Sequence, residues 1–455
     1  MKVIKATLIL SLLFSGSNAF SQTVPTGNRL KDIGNSCKIG TMLNTGYHSS
    51  EIANREFNVI TATWYPEWGG WTGAGQYNFT KVNDIINWSE NNGKTTIFHM
   101  FVGQDKYLPT WFKNGTYSNF EMDNLLKDLI YQTLESNNNK TKLNIINVAN
   151  ELFNSDGTYR AMKWNQMGWE ADASGLSGDD KVNTQHPVFI GKAFQYCRDK
   201  SPAKLELRDY GVTSTDATWG GVAKHKAFYQ LIKHMQAKGY PLDAVSEQAH
   251  ANVGCAVNPT FQANLQKFKA TGLEVYLSEV DCGVSGKYCY LTWDETAKTK
   301  QQADFQKIVT QGLNAGVSVI NFWGTNDGDP SWRTNEHHLL FDANGNPKPA
   351  YYGVQTALQN LATGSESFHN HHDEEIKIIP NPVGKESFSI LFNSGTDQMS
   401  RLSIYDLTGR LVYETNQIFG PDPVWISTGK VLLQSTYLVE IKNKGKVATS
   451  KLMIQ

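Results

Sequence analysis

Between about Lys38 and Leu361 the sequence alternates short apolar runs with longer stretches of helical periodicity, and eight such runs can be counted. Neighbouring runs are too far apart in sequence for tight hairpins, so the pattern predicts parallel strands joined by crossover helices. The strands are predicted at Lys38–Leu43, Val59–Thr63, Thr95–Val102, Leu143–Val148, Lys204–Arg208, Ala244–Gln248, Glu274–Glu279 and Val317–Trp323. Amphipathic spacing predicts helices over Lys81–Asn91, Asn124–Leu134, Phe189–Lys200, Lys224–Lys238, Pro259–Thr271, Glu295–Asn314 and Ala350–Leu361. Eight alternations over some three hundred residues suit closure into an α/β (β/α)8 barrel.

A barrel of this kind gathers the carboxyl ends of its strands at one mouth, where loops build active sites above a packed interior. Those ends carry His99, Asn150 with Glu151, Gln248, Glu279 and Trp323. Carboxylates there carry a desolvation cost that a purely structural residue would avoid. Glu151 follows the apolar run Ile145-Ile146-Asn147-Val148-Ala149, and Glu279 ends Leu273-Glu274-Val275-Tyr276-Leu277-Ser278. Asp281, two residues further, turns to the same side as Glu279 in an extended chain.

Two strand-end glutamates serve equally as an ion-pair site, as metal ligands, or as the paired carboxyls that glycosidic bond cleavage requires. A metal site would need further convergent carboxylate or imidazole ligands, and the remaining candidates are mostly amides and aromatics. No G-x-S-x-G elbow occurs, and no cysteine has an evident base partner. Neither a metal nor another cofactor is expected.

At 455 residues the chain is long enough for a large domain and a smaller one. Lys2 and Lys5 precede an apolar run from Ala6 to Phe14 and the small-residue exit Ser17-Asn18-Ala19, which reads as a signal peptide within residues 1–21. That run is too short to span a bilayer. The 22–361 segment is the barrel, 362–375 a polar linker, and 376–455 a small all-β sandwich with alternating segments at Ser387–Leu391, Arg401–Tyr405, Leu411–Glu414, Tyr437–Lys442 and Lys446–Met453. His369, His371 and His372 fall in the linker and read as a solvated tract. Net charge is −1, which gives no electrostatic pull towards nucleic acid or anionic membrane, and 12 Trp, 19 Tyr and 21 Phe supply flat faces suited to pyranose rings. Among five cysteines, Cys282 and Cys289 are the preferred local disulfide, with a bridge from either to Cys255 as the alternative.

Several motifs in order give a resemblance. Asn147-Val148-Ala149-Asn150-Glu151, Leu277-Ser278-Glu279-Val280-Asp281 and Asp243-Ala244-Val245-Ser246-Glu247-Gln248-Ala249-His250 look like the acid/base, nucleophile and sugar-contacting segments of glycoside hydrolase family 10, the endo-β-1,4-xylanases. Phe322-Trp323-Gly324 with Asp327 and Ser331-Trp332, then Leu339-Leu340-Phe341-Asp342 and Asn346-Pro347-Lys348-Pro349-Ala350-Tyr351, resemble the closing region, so the likeness runs from about Ile39 to Leu361.

The resemblance implies a retaining double displacement with Glu279 as nucleophile and Glu151 as acid/base. It further implies substrate contacts from Asn150, His99, Gln104, Trp111, Gln248, His250 and Trp323, with Asp281 supporting the nucleophile through His250. Trp332 is a candidate stacking surface. Where the family has a lysine after the second strand this chain has Glu67, and Gly103-Gln104 stand where it has Trp-His. These positions line the side that holds the sugar to be transferred, so a modified or different β-glycan, or a non-catalytic glycan-binding role, is the alternative to xylan hydrolysis.

Ile379-Pro380-Asn381-Pro382, Leu402-Ser403-Ile404-Tyr405-Asp406-Leu407-Thr408-Gly409-Arg410 and the ending Tyr437-Leu438-Val439, Gly445 and Lys451 resemble the C-terminal sorting domain of type IX secretion. That likeness implies the type IX secretion machinery as a partner, beside a polysaccharide substrate. A monomer, exported through the periplasm and then secreted or held at the cell surface, is the expected form.

Overall fold

In the computed structural model, all of residues 24–362 are described except 35–36, 45–50, 69, 215–220, 256–259 and 286–291. From 376 onward the described residues are the strands and a few flanking positions. The expected signal peptide, the linker histidines and Cys289 lie outside the described residues. The chain divides into two compact units, Met1–Thr363 and Gly364–Gln455.

The first unit is built on strands β1 (Lys38–Leu43), β2 (Val59–Thr63), β3 (Thr95–Val102), β4 (Ile145–Asn150), β5 (Lys204–Asp209), β6 (Ala244–Glu247), β7 (Glu274–Gly283) and β8 (Val319–Phe322). Each pairs in parallel with the next, β8 returns to β1 through Lys38↔Val319, and Ala244↔Glu274 joins β6 to β7, so the sheet closes. Every residue of β2 and of β4 is buried, the Thr61, Thr63, Asn147 and Asn150 side chains included, which is why these strands do not read as an apolar/charged alternation. Val59, Ile97, Ile145, Ala244, Tyr276 and Val319 form an apolar cluster of their own, one side chain from each of six strands. A second, larger core joins the sheet to its surrounding helices.

The helices are α1 (Thr80–Asn91), α2 (Asn119–Glu135), α3 (Val188–Lys200), α4 (Gly221–Ala237), α5 (Phe261–Lys269), α6 (Glu295–Asn314) and α7 (Pro349–Ala362). Local chemistry sets their starts. Ser118 accepts from the Glu121 amide at 3.3 Å while the Glu121 carboxylate accepts from the Ser118 amide at 2.8 Å, a reciprocal cap on α2. Asp294 accepts from the Ala297 amide at 2.8 Å and starts α6. No helix among the described residues is long and apolar enough to cross a membrane.

The preferred Cys282–Cys289 pair needs correction, because Cys282 is a buried free thiol on β7. Cys255 is disulfide-bonded, in keeping with the alternative of a bridge to Cys255. Strand geometry explains the difference: Cys282 follows Asp281 inside the sheet, in register with Ala251, so its side chain belongs to the core.

The second unit holds two antiparallel sheets. One orders β9 (Ile376–Ile379), β10 (Ser387–Phe392) and β13 (Val424–Ser427); the other orders β12 (Leu411–Phe419), β11 (Gln398–Asp406), β14 (Ser435–Asn443) and β15 (Lys446–Ile454). Phe388, Ile390, Leu402, Ile404, Ile426, Val439, Ile441 and Leu452 form its own core.

Candidate active site

The chain turns sharply where β4 delivers its carboxylate. Glu151 has a positive φ of 55°, a left-handed conformation that costs a non-glycine residue energy and that neighbouring contacts must hold. Its amide donates to the Arg208 carbonyl at 3.1 Å, which fixes the backbone. Its side chain accepts from two amides: Gln248 Nε2 reaches Oε1 at 3.1 Å, and Gln104 Nε2 donates to Oε2. Gln248 Nε2 also donates to Asn150 Oδ1 at 3.1 Å.

Glu279 lies within β7 and is nearly buried, with its amide donating to the Gln248 carbonyl at 2.9 Å. Arg208 Nη1 donates to Oε1 at 3.1 Å, and His250 Nε2 stands 3.3 Å from Oε2. Two residues therefore bond to both glutamates, each to one carboxylate and to the backbone amide of the other. Gln248 holds Glu151 by its side chain and Glu279 by its backbone; Arg208 does the reverse. The barrel brings the two strand ends to one site, and no long loop is needed to couple them.

Behind the nucleophile candidate, His250 Nδ1 pairs with Asp281 Oδ2 at 2.9 Å, and Arg333 Nε lies 3.3 Å from Asp281 Oδ1. Burial disfavours a charged imidazole, but the carboxylates of Asp281 and Glu279 outweigh it and lift the His250 pKa to about 9. Asp281 is itself buried, yet the charges of Arg333 and His250 hold its pKa below the usual value. His99 is the opposite case. Burial and the adjacent Arg208 charge push its pKa well down, so it is neutral.

Aromatic rings surround the site. Trp323 stands edge-on to His99 with centroids 5.1 Å apart, and Trp332, 57% exposed, stands edge-on to His250 at 5.0 Å. Tyr65 stacks on Tyr107 at 4.8 Å and meets His99 edge-on at 5.8 Å. Burial, then the carboxylates of Glu151, Glu279 and Glu67, raise the Tyr107 pKa, which places this ring beside the same charges.

Of the residues expected from sequence, Glu151, Glu279, Asn150, His99, Gln104, Gln248, His250, Trp323 and Asp281 fall into this one group. Trp111 does not. Its indole donates to the Trp71 carbonyl at 3.0 Å, and its ring packs edge-on against Trp71 at 4.8 Å. A β-carbon at Gly103 would meet the tip of the Met100 side chain, Cε at 2.6 Å. Sequence reasoning missed Arg208, Tyr65, Tyr107 and Arg333. None left a clear signal: Arg208 falls in the alternation Lys204-Leu205-Glu206-Leu207-Arg208, which reads as a strand with one solvated face.

One other cluster has metal-ligand residue types, Asp172, His186 and His234, with candidate atoms within 4.8 Å of one another. Its atoms already have partners. His186 lies between Asp172 Oδ1 at 2.9 Å and the Tyr159 hydroxyl at 2.5 Å, while His234 Nδ1 accepts from the Ala173 amide at 3.0 Å and Nε2 faces Glu170 at 3.2 Å. A cation would have to displace these hydrogen bonds, so the group reads as a structural network.

Comparison with known proteins agrees with this geometry. The family model described as glycosyl hydrolase family 10 matches residues 26–357, and that of the secretion system C-terminal sorting domain matches residues 377–455. Endo-1,4-beta-xylanase B of Thermotoga neapolitana is 28% identical over 326 residues, covering 68% of this chain and 83% of the relative. Endo-1,4-beta-xylanase 3 of Hypocrea jecorina is 28% identical over 289 residues, covering 63% and 70% respectively. Xylanase 10B from Thermotoga petrophila RKU-1, solved in complex with xylobiose, superposes with a TM-score of 0.62 at 26% identity, covering 75% of this chain and 100% of that one.

Proposed function

Because the chain belongs to glycosyl hydrolase family 10, we propose that it hydrolyses β-1,4-xylosidic bonds within xylan-type chains with retention of configuration. Glu279 attacks the anomeric carbon while Glu151 protonates the departing glycosidic oxygen; water, deprotonated by Glu151, then releases the sugar from Glu279. Asn150 and His99 contact the transferred sugar, Gln104 and Gln248 orient Glu151, and His250 with Asp281 behind it orients Glu279. Trp323 and Trp332 offer stacking surfaces. The observation that carries this reading is the tie between the two glutamates: Gln248 bonds the Glu151 carboxylate and the Glu279 amide, and Arg208 the Glu279 carboxylate and the Glu151 amide.

The test measures reducing ends released from linear and substituted xylans, with the anomeric configuration of the first product followed by NMR. Accumulation of β-anomer before mutarotation is the expected result. Initial α-product would overturn the double displacement, and no release from any β-glycan would overturn the hydrolase reading. Release from a different β-glycan alone would favour the second reading, which rests on Glu67, an exposed carboxylate close enough to act on Tyr107, and on Gly103 beside Gln104.

The tail supports export by type IX secretion to the medium or the cell surface. We place a signal-peptide-directed passage through the periplasm before it, with the mature enzyme acting as a monomer.

His250 gives a prediction about pH. Its pKa is raised in the folded protein to about 9 from an ordinary value of 6.5, so its charge stabilises the fold fully below pH 6.5. That contribution, on the order of 3 kcal/mol, is lost as pH rises through about 9. Urea unfolding of the wild type at several pH values should show this decline, and His250→Gln should flatten it. An unchanged slope in the variant would contradict the assignment.

A further inference from the structure

Arg208 sits on β5 two residues beyond Glu206, so both side chains share one face of the strand, and both are fully buried. The Glu206 carboxylate accepts from Arg208 Nε at 2.9 Å and from Nη2 at 3.0 Å, and Ser246 donates to the same carboxylate from β6. This fixed fork leaves Nη1, which reaches Glu279 Oε1 at 3.1 Å and His99 Nδ1 at 3.2 Å. A guanidinium only donates, so His99 Nδ1 is the acceptor and the ring hydrogen sits on Nε2.

The electrostatic consequence differs between the two displacements. Ionised Glu279 has a cation against each oxygen, Arg208 on one and His250 on the other. Forming an ester to the sugar removes the negative charge from between them; breaking the ester restores it. A buried guanidinium that stays charged at every working pH therefore opposes the first step slightly and assists the second.

Resting on the retaining reading above, we propose that Arg208 is a positioning residue for hydrolysis of the glycosyl-enzyme, holding the Glu279 carboxylate as it departs from the sugar. In that step a water oxygen bonds to C1 and gives its proton to Glu151. The C1–O bond to Glu279 breaks, and its electron pair returns to Glu279 as carboxylate charge.

The test uses the full chain with 2,4-dinitrophenyl β-xylobioside, whose activated leaving group makes the first step fast. Arg208→Met should lower kcat roughly 10- to 100-fold, the range for losing one charge-assisted hydrogen bond. KM should fall nearly in parallel and kcat/KM should change little, because kcat/KM reports the first step. Rapid mixing should show a burst of about one dinitrophenolate per enzyme, since one ester forms per site. Intact mass should show a xylobiosyl adduct, and Arg208→Lys should recover part of kcat.

Removing one buried charge leaves Glu206 without its partner, so the double variant Glu206→Gln/Arg208→Met is measured beside it and should show the same burst. A folded variant in which kcat/KM falls as far as kcat, without burst or adduct, would overturn the proposal. Failure of the wild type to release dinitrophenolate would overturn the hydrolase reading on which it rests.

Discussion

Replacing Glu279 with alanine is expected to abolish turnover of xylan, a loss of roughly 10⁵-fold or more on the scale seen when an enzyme loses its covalent nucleophile. The fold should survive. Arg208 keeps its fork to Glu206 and His250 keeps Asp281, so neither cation is stranded when the carboxylate goes. Binding of xylo-oligosaccharides, measured by calorimetry, should persist. With an activated aryl xyloside, added azide should enter the space left by the carboxylate and attack C1 from the same side, giving an α-glycosyl azide. Turnover within about tenfold of wild type would remove Glu279 from the chemistry. A glycan-binding protein would show the same binding in wild type and variant and no catalysis in either.

What made this site legible was its position on the strands. β2 and β4 are buried on both sides, so their uncharged runs stand out, and Glu151 and Glu279 are conspicuous because they interrupt such runs. The strand ends were less clear. β4 continues to Asn150 and β7 to Gly283, because backbone pairing with a neighbouring strand, which no single run reveals, carries polar residues along.

Arg208 has the sequence character of a solvated arginine, and only the closed sheet shows that it faces Glu279. Tyr107 lies on a short 3₁₀ turn, Asp105–Tyr107, whose meeting with Tyr65 depends on two different loops. The Leu108-Pro109-Thr110-Trp111 motif gave no sign of the partner that fixes Trp111: its N–H goes to the carbonyl of Trp71, an aromatic residue the motif does not include. In the second unit, β9 and β13 are four residues each and too short to separate from turn sequence.

Replacing Glu151 with alanine should give a loss that depends on the leaving group, which distinguishes an acid/base from a nucleophile. On xylan, whose leaving group is an alkoxide, the expected fall is roughly 10²- to 10⁴-fold, the usual contribution of positioned proton transfer. On 2,4-dinitrophenyl β-xylobioside the first step needs no proton and should be nearly unaffected. The second step then lacks its base, so the glycosyl-enzyme should accumulate. Azide needs no deprotonation and should restore turnover, this time with a β-glycosyl azide as product. An equal loss on both substrates, without azide acceleration, would rule out the role. Gln104 and Gln248 both direct amide hydrogens at the Glu151 carboxylate oxygens, an arrangement suited to the ionised form. A protonated Glu151 keeps acceptor capacity on both oxygens, so both amides can hold it while its hydrogen points to the glycosidic oxygen. Gln248 is buried and shared with Asn150, whereas Gln104 lies at the start of a short turn beside Gly103. The two amides thus hold the carboxylate from two different elements of the barrel mouth.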